Sequence, residues 1–463
     1  MIRKSLKEEK AITLVALIIT IIVLLILAMV SISLVMNGGI IDRAERGTKA
    51  YTEAEIEEQI KLAYAEWQTA QFTSDAGDAA TFMQTRLRTT LKDNGLTVTG
   101  SFKITLSNGK EFFYSAKSGQ MADSEVDLYP TATASTSNQP VSENSKYTSN
   151  GKTAVIPAGY SISNVEAEQS IDTGLVITKG GNEWVWIPVA NVTDLYTENT
   201  TNSEWILCGT SGDNKVVSKY ASKARTDVRS DLTRTTPGTT SNSSYREPDV
   251  LTMYDNTSTN WTEAGFNSYK NMAESLKNDY KNMIDSIKRY GGFYVGRYEL
   301  SEEGTKKDQP PLTMTSWYNL YAKCKTFGEE STTYSRMIWG CQWDQVCKFI
   351  ETAKDANGDT ISLSDSTKYG NYKNSQAPAN AGNYQSNKKK NTGSNEAWKT
   401  NNIYDLAGNC YEWTQEACSD GSRVYRGGCY YDGSDYSVTY RYQDNPTANY
   451  YSHISSRPTL YIK

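Results

Sequence analysis

Residues 11–36, AITLVALIITIIVLLILAMVSISLVM, carry no charge, proline or glycine. At ~1.5 Å per residue a helix of that length is roughly 39 Å long, more than the ~30 Å hydrocarbon core of a bilayer requires. The stretch is therefore expected to span a membrane. The preceding MIRKSLKEEK sets Arg3, Lys4, Lys7 and Lys10 against two acids. That excess of basic residues keeps this end cytoplasmic, so everything after Met36 lies outside. A secretory signal peptide has an apolar core of about 7 to 15 residues before a small-residue cleavage site, and this segment is too long for that.

Ala11 followed by Ile12-Thr13-Leu14-Val15 resembles the class III signal of type IV prepilins, a short charged leader before an apolar helix. The resemblance implies a leader peptide at residues 1–11, cleavage between Ala11 and Ile12, and other pilins as partners in a filament. Two positions depart from the pattern: the leader ends in Ala11 rather than Gly, and the fifth mature position, usually Glu, is Ala16. The plain alternative is a single-pass anchor with a juxtamembrane helix. After Asn37-Gly38-Gly39 the helical pattern returns. Thr52 and Glu55 read as a capping box, and Ile56, Ile60, Ala63, Tyr64 and Trp67 fall on one face. Residues 12–72 are expected to form a transmembrane helix and stalk.

A chain of 463 residues exceeds one ordinary domain. With 48 basic against 53 acidic residues the net charge is -5, and no long basic run lies beyond the N-terminus, so no nucleic-acid partner is expected. Seven cysteines without a CxxC pair and one histidine, His453, give zinc no ligand set. Most cysteines read as small buried hydrophobes, with an isolated bridge such as Cys410 to Cys418 left open. KITLSNGKEFFYSA alternates on both sides of Asn108-Gly109, a hairpin signal within a small β unit at 73–116. Residues 117–152, rich in Ser, Thr, Asn and Gly, read as a linker, and 209–244 as an insertion loop. Within 153–463, strand-like runs flank Gly180-Gly181-Asn182, helices are expected near 272–287 and 342–353, and a strand starts at Gly291. That mixture argues for an α+β class with low regular content.

Four ordered segments of 153–463 resemble the formylglycine-generating-enzyme-like family, whose fold is related to C-type lectins. They are EWVWIP from Glu183, GFYVGRYE from Gly292, SRMIWGCQW from Ser335, and NIYDLAGNCYEWT from Asn402 with RVYRGG from Arg423 and the ending Ser456-Arg457-Pro458. Independently of the family, Gly408, Gly427 and Gly428 permit positive φ or close backbone approach, and Trp343 and Trp413 can anchor a fold poor in regular structure. Asn409 and Glu412 offer oxygens suited to calcium, which the family places near this loop. The alternative is an Asx turn with a buried acid bonded to backbone amides.

The resemblance implies an oxidase only if two cysteines follow the Gly-Gly motif to hold copper. Here those positions are Asp432 and Ser437, neither of which captures a soft cuprous ion. Ergothioneine-type relatives need histidines for iron, and His453 stands alone. A non-enzymatic binding role is therefore expected, the alternative being a membrane-tethered oxidase or modifying enzyme. The segment Cys429 to Ser456 holds 7 Tyr, 5 Ser, 3 Asp and 2 Asn among 28 residues, with no Lys or Glu, a paratope-like chemistry. It resembles the variable region of diversity-generating-retroelement target proteins, in which adenine-directed mutation of Asn codons yields Tyr, Ser, Asp, His and others but never Lys, Glu or Gln. Gln443 alone breaks that rule. The expected diversified or contacting positions are Tyr430, Tyr431, Asp432, Asp435, Tyr436, Tyr440, Tyr442, Asp444, Asn445, Asn449, Tyr450, Tyr451 and His453. The resemblance implies display at a bacterial cell surface, on a bacterial or phage-encoded protein, with an extracellular protein or glycan as ligand.

Overall fold

The computed structural model describes residues 52–72, 76–100, 102–134, 138–190, 260–376, 387–418 and 422–463, together with residue 255 and two-residue strands at 198–199, 204–205, 234–235 and 245–246. Among these, no helix is long and apolar enough to cross a membrane. The expected span at 11–36, the Ala11–Ile12 cleavage site and nearly all of the 209–244 loop lie outside the described residues. The chain divides into two compact units, residues 1–112 and 113–463.

In the first unit α1 (Glu53–Ala70) and α2 (Ala79–Leu91) precede the antiparallel pair β1 (Thr97–Val98) and β2 (Lys103–Thr105). The expected capping box is present: the Thr52 N–H donates to Glu55 Oε2 at 2.8 Å and the Glu55 N–H to Thr52 Oγ1 at 3.4 Å. Ile56, Ile60 and Ala63 are buried, as are Met83, Leu87 and Leu91 of α2. Arg86 joins the helices by donating to both Glu66 oxygens at 2.5 and 3.1 Å. Helix α2 is an element that the expectation of a small β unit at 73–116 did not include. The Asp78 side chain caps it by accepting the Thr81 N–H at 2.9 Å, and its i, i+4, i+8 apolar positions supply the packing face. The turn at Asn108-Gly109 closes with Leu106 N–H to the Lys110 carbonyl at 2.8 Å, ahead of β3 (Glu111–Ser115), which pairs with β4 (Gln120–Ala122).

The segment read as a linker is ordered in its described parts. It carries β4, a short 3-10 turn at Glu125–Leu128, and β5 (Ser145–Ser149), which pairs with β6 (Lys152–Ile156). Few but well-spaced apolar residues explain this. Val126 and Tyr147 are buried in a cluster with Trp184, Trp186 and Tyr294, and Tyr129, Ala132, Ala134 and Val141 pack against it.

The rest of the second unit is built mainly on two sheets. The larger combines β7 (Ser161–Ile162), β8 (Val176–Lys179), β9 (Asn182–Pro188), β10 (Gly292–Gly296), β11 (Thr333–Met337) and β16 (Pro458–Ile462) in the order β11-β16-β10-β9-β8-β7. Strands β8 and β9 turn at Lys179↔Asn182, where the Gly-Gly-Asn signal placed the hairpin. Helix α3 (Tyr269–Tyr290), with a Ser268 N-cap and a left-handed Gly291 C-cap, feeds β10 directly. Helices α4 (Trp317–Cys324) and α5 (Gly340–Ile350) follow.

The smaller sheet carries the candidate site: β12 (Tyr411–Cys418), β13 (Arg423–Arg426) and β14 (Arg441–Asp444) run antiparallel, and β15 (Ile454–Ser456) pairs in parallel with β12. The chain leaves the smaller sheet at Ser456 and enters the larger at Pro458, so Arg457 sits at the join. Its guanidinium is fully buried, grips the Glu412 carboxylate through Nη2 at 2.6 Å and Nε at 3.0 and 3.1 Å, and donates to the carbonyls of Gly296 on β10 and Tyr404, each at 2.9 Å. One cation thus ties a strand of each sheet together. Trp343 and Trp413 are both fully buried, in separate apolar clusters.

Candidate binding site

Strand pairing sorts the smaller sheet into two faces. Glu412 lies opposite Arg426, and Arg426 opposite Arg441, on one face; Trp413 lies opposite Tyr425, and Tyr425 opposite Tyr442, on the other. The polar face is buried and paired throughout. Beyond Arg457–Glu412 it holds Arg426–Asp344 at 2.9 Å and Arg441–Glu416 at 3.4 Å. A further buried pair, Arg423–Asp255 at 3.0 Å, places its guanidinium 3.7 Å from the centre of the Trp317 ring.

The other face carries an unbroken run of aromatic contacts into the Tyr-rich segment. Tyr411 lies 4.6 Å from Tyr425, 6.0 Å from Tyr440 and 6.0 Å from His453. Tyr425 reaches Tyr442 at 5.7 Å, and Tyr440 reaches Tyr436 at 4.7 Å. His453 continues the run to Tyr431 at 4.9 Å and Tyr451 at 5.3 Å, which in turn touch Tyr430 at 5.1 Å and Tyr450 at 4.5 Å. Edge and tilted ring geometries predominate, the arrangement favoured by aromatic quadrupoles.

Gly428 makes the fold of this segment possible. Its φ of +75° suits glycine, and a Cβ there would stand 2.1 Å from the Tyr436 carbonyl oxygen. Gly408, at φ +75°, likewise leaves no room for a Cβ, which would meet the Asn371 carbonyl oxygen at 2.3 Å. These close approaches pin the loops that carry the rings.

Tyr431, Asp435, Asn449 and Tyr450 are exposed, and Tyr430, Tyr436, Tyr442, Asp444, Asn445, Tyr451 and His453 are half-buried. Two expected positions are not solvent-facing. Tyr440 is wedged among Tyr411, Tyr436 and Tyr442, and Asp432 turns inward to accept the Cys429 N–H at 2.9 Å. Asn445 closes a local turn by accepting from the Thr447 N–H and hydroxyl, each at 2.9 Å. Tyr411 and Tyr425, which precede the Tyr-rich segment, belong to the same aromatic run; their alternation with Glu412 and Arg426 on paired strands was the available signal.

Electrostatically the face is rich in neutral donors. The Tyr451 hydroxyl donates to Asp444 Oδ2 at 2.7 Å and lies 3.3 Å from that of Tyr450. Burial, then hydrogen bonding to Tyr450 and Asp444, pushes the Tyr451 phenol up; burial and the nearby Cys429 do the same for Tyr431. Both phenols stay protonated. Burial lowers the His453 pKa, against the pull of Asp432 and Asp444.

Asn409 and Glu412, considered for calcium, are committed elsewhere. Glu412 is neutralised by Arg457, while the Asn409 amide donates to Glu299 at 2.5 Å and its oxygen accepts from Asn371 and from the Lys390 N–H, each at 2.9 Å. Among the described residues no group of His, Cys, Asp and Glu is arranged to hold a metal. Cys410 is buried and free, so the bridge to Cys418 is not formed; Cys324, Cys341, Cys347 and Cys429 are likewise buried and free. Of the two positions where a copper oxidase has cysteines, Asp432 caps its own turn and the Ser437 hydroxyl lies 3.1 Å from that of Thr439.

No protein-family model and no curated protein matches the chain. Among solved structures it is similar to Treponema denticola variable protein 1, with 16% identity and a TM-score of 0.27 over 36% of this chain and 84% of that one. It is also similar to the P3c and U1 variants of a Major Tropism Determinant, with 10% identity, TM-scores of 0.23 and 0.24, and coverage of 72% of this chain and 99% and 100% of theirs.

Proposed function

We propose that this chain is a surface-displayed, non-enzymatic ligand-binding protein with a diversified C-terminal face, held at the membrane by its N-terminal helix as a minor pilin or a membrane-anchored adhesin. The observation that carries the reading is the continuous aromatic face from Tyr430 to His453, seated on a sheet whose opposite side is locked by buried ion pairs. Tyrosine supplies rigid amphipathic area at low entropic cost, and Asp and Asn supply adaptable polar contacts. Such a face is suited to recognising a surface. The apolar stretch at 11–36 and the charges before it support placement outside the membrane.

Sequencing the DNA around the gene tests the diversified part. A near-copy of the coding sequence for 429–456, differing where the copy has adenine and lying beside a reverse-transcriptase gene, is expected. Sibling sequences should vary at the exposed tyrosines and keep Trp413, Gly427 and Gly428. Differences scattered over all four bases would remove diversification and leave a fixed binding face. N-terminal sequencing of protein from the native membrane tests the prepilin part: a chain starting at Ile12 supports processing, and a retained Met1–Lys10 reduces the segment to an anchor.

A further inference from the structure

We infer that the edge of the face built by Tyr442, Asp444, Tyr450 and Tyr451 takes an arginine side chain from a loop of a protein partner; the inference rests on the binding role proposed above. Asp444 is half-buried. Each of its carboxylate oxygens accepts one local hydrogen bond, Oδ2 from Tyr451 at 2.7 Å and Oδ1 from the Asn445 N–H at 2.7 Å. A carboxylate has about four lone-pair sites, so acceptor capacity remains. Tyr450 is 65% exposed and lies 4.5 Å from Tyr451, which leaves phenol rings beside that carboxylate at the surface.

The charges around the face favour a cation. Its carboxylates are Asp432, Asp435 and Asp444. Arg441 is buried against Glu416, so these three carboxylates face two nearby lysines, Lys389, which donates to Thr313 Oγ1 at 2.7 Å and whose charge reaches His453, and Lys373, which lies against Gly433. Burial keeps His453 predominantly neutral near pH 7. A guanidinium matches both parts of the site, because its planar fork bonds a carboxylate while its face stacks on a ring. The fold already uses this chemistry internally. Arg423 lies 3.7 Å over Trp317 while bonding Asp255, whose other oxygen accepts the Tyr318 hydroxyl at 2.6 Å. Arg297 lies 5.6 and 5.4 Å from the rings of Tyr298 and Tyr404 while paired to Glu183 and Glu168. The Asp444–Tyr451–Tyr450 group repeats the ring, hydroxyl and carboxylate at the surface.

The test is calorimetric titration of the full chain in detergent with a capped Gly-Arg-Gly-Arg-Gly peptide, and with the same peptide carrying lysine or the neutral isostere citrulline. The arginine peptide should saturate and bind about 10-fold more tightly than the citrulline peptide, with lysine between them, a ratio in keeping with hydrogen bonds to a charged group. Asp444→Asn should remove that preference, with thermal melts showing the variant still folded. No saturable binding of the arginine peptide, equal binding of citrulline, or an unchanged preference in Asp444→Asn overturns the inference. A glycan that binds in its place and is lost in Tyr450→Ala also overturns it while preserving the binding role. Ligand capture unaffected by Tyr431→Ala and Tyr450→Ala together would instead count against the binding role.

Discussion

The two faces of the smaller sheet contrast in how their polar groups are satisfied. On one, Glu412, Arg426 and Arg441 are buried, each paired with an opposite charge at a defined distance. On the other, phenols and carboxylates run from buried at Tyr411 and Tyr440 to exposed at Tyr431 and Tyr450. Buried ion pairs add little net stability over apolar replacements, but an orphaned partner is costly. Such a layer fixes one arrangement of strands and punishes change. Exposed tyrosines keep most of their contacts with solvent, so replacing them costs little. The sheet therefore separates what must stay from what is free to vary, one strand's thickness apart.

The largest test of that contrast is Arg457→Ala. Removing the guanidinium leaves the Glu412 carboxylate and the carbonyls of Gly296 and Tyr404 unpaired at the join of the two sheets. A loss of about 3–5 kcal/mol in urea unfolding is expected. The paired replacement Glu412→Gln with Arg457→Met should recover much of it, because no lone charge remains; a loss below ~1 kcal/mol in the single variant would break the comparison. Next comes Tyr440→Ala, which lies in the Tyr-rich segment but packs with the scaffold. Its truncation should cost about 2–4 kcal/mol, as for a buried aromatic side chain. If it behaves like an exposed position, the boundary between scaffold and face runs deeper than burial indicates.

A third test uses pH. Glu299, Asp405 and Glu412 are all fully buried near the Arg457 guanidinium. Burial pushes the Asp405 carboxyl up to about 6, against the Gly393 N–H, Arg457 and the Thr392 hydroxyl, and pushes Glu299 well above the usual range, helped by the charges of Asp405 and Glu412. An unfolded aspartate ionises near pH ~4, so folding takes up a proton between that value and 6. The stability contributed is full below pH ~4 and is lost as pH rises through 6. Asp405→Asn cannot ionise, so the variant should gain on the wild type between pH 4.5 and pH 8, by on the order of 2 kcal/mol. A difference in melting temperature that stays constant over that range would show Asp405 ionised throughout.

Much of the scaffold was legible because it obeys local rules. The Gly-Gly-Asn turn, the capping box at Thr52 and the amphipathic runs of α3 and α5 declare themselves within a few residues, and Trp343 and Trp413 anchor apolar clusters as their size demands. Helix α2 carried a legible signal too, an Asp78 cap and a 4-residue apolar spacing, that threonine-rich composition masked. The order within 117–152 rests on contacts with Trp184, Trp186 and Tyr294, which no local composition reveals. The same holds for the ion pairs: Arg423 finds Asp255 and Arg457 finds Glu412 only after the chain is threaded. For the face, composition located the segment but not its inner boundary. Strand pairing brings Tyr411 and Tyr425 into the aromatic run, while packing among tyrosines and a turn closed on the Cys429 N–H keep Tyr440 and Asp432 from water.

The smallest expected effect is the most discriminating, because it concerns a tyrosine of the same segment as Tyr440 that is exposed rather than buried. Tyr450 is 65% exposed, touches Tyr451 at 4.5 Å and lies within 3.3 Å of the Tyr451 hydroxyl. Tyr450→Ser removes an exposed edge contact and a hydroxyl pair that water readily replaces. The expected change in unfolding free energy is within ~0.5 kcal/mol, the range of surface substitutions away from caps, cores and buried charges. Tyr431→Ser, at 38% exposure and with its ring 4.9 Å from His453, should cost somewhat more. Measured by urea unfolding, the order Tyr440→Ser, Tyr431→Ser, Tyr450→Ser from most to least destabilising follows if tolerance tracks exposure. If Tyr450→Ser instead destabilises as much as Tyr440→Ser, the face is a packed unit, and variation there would have to preserve ring against ring rather than sample freely.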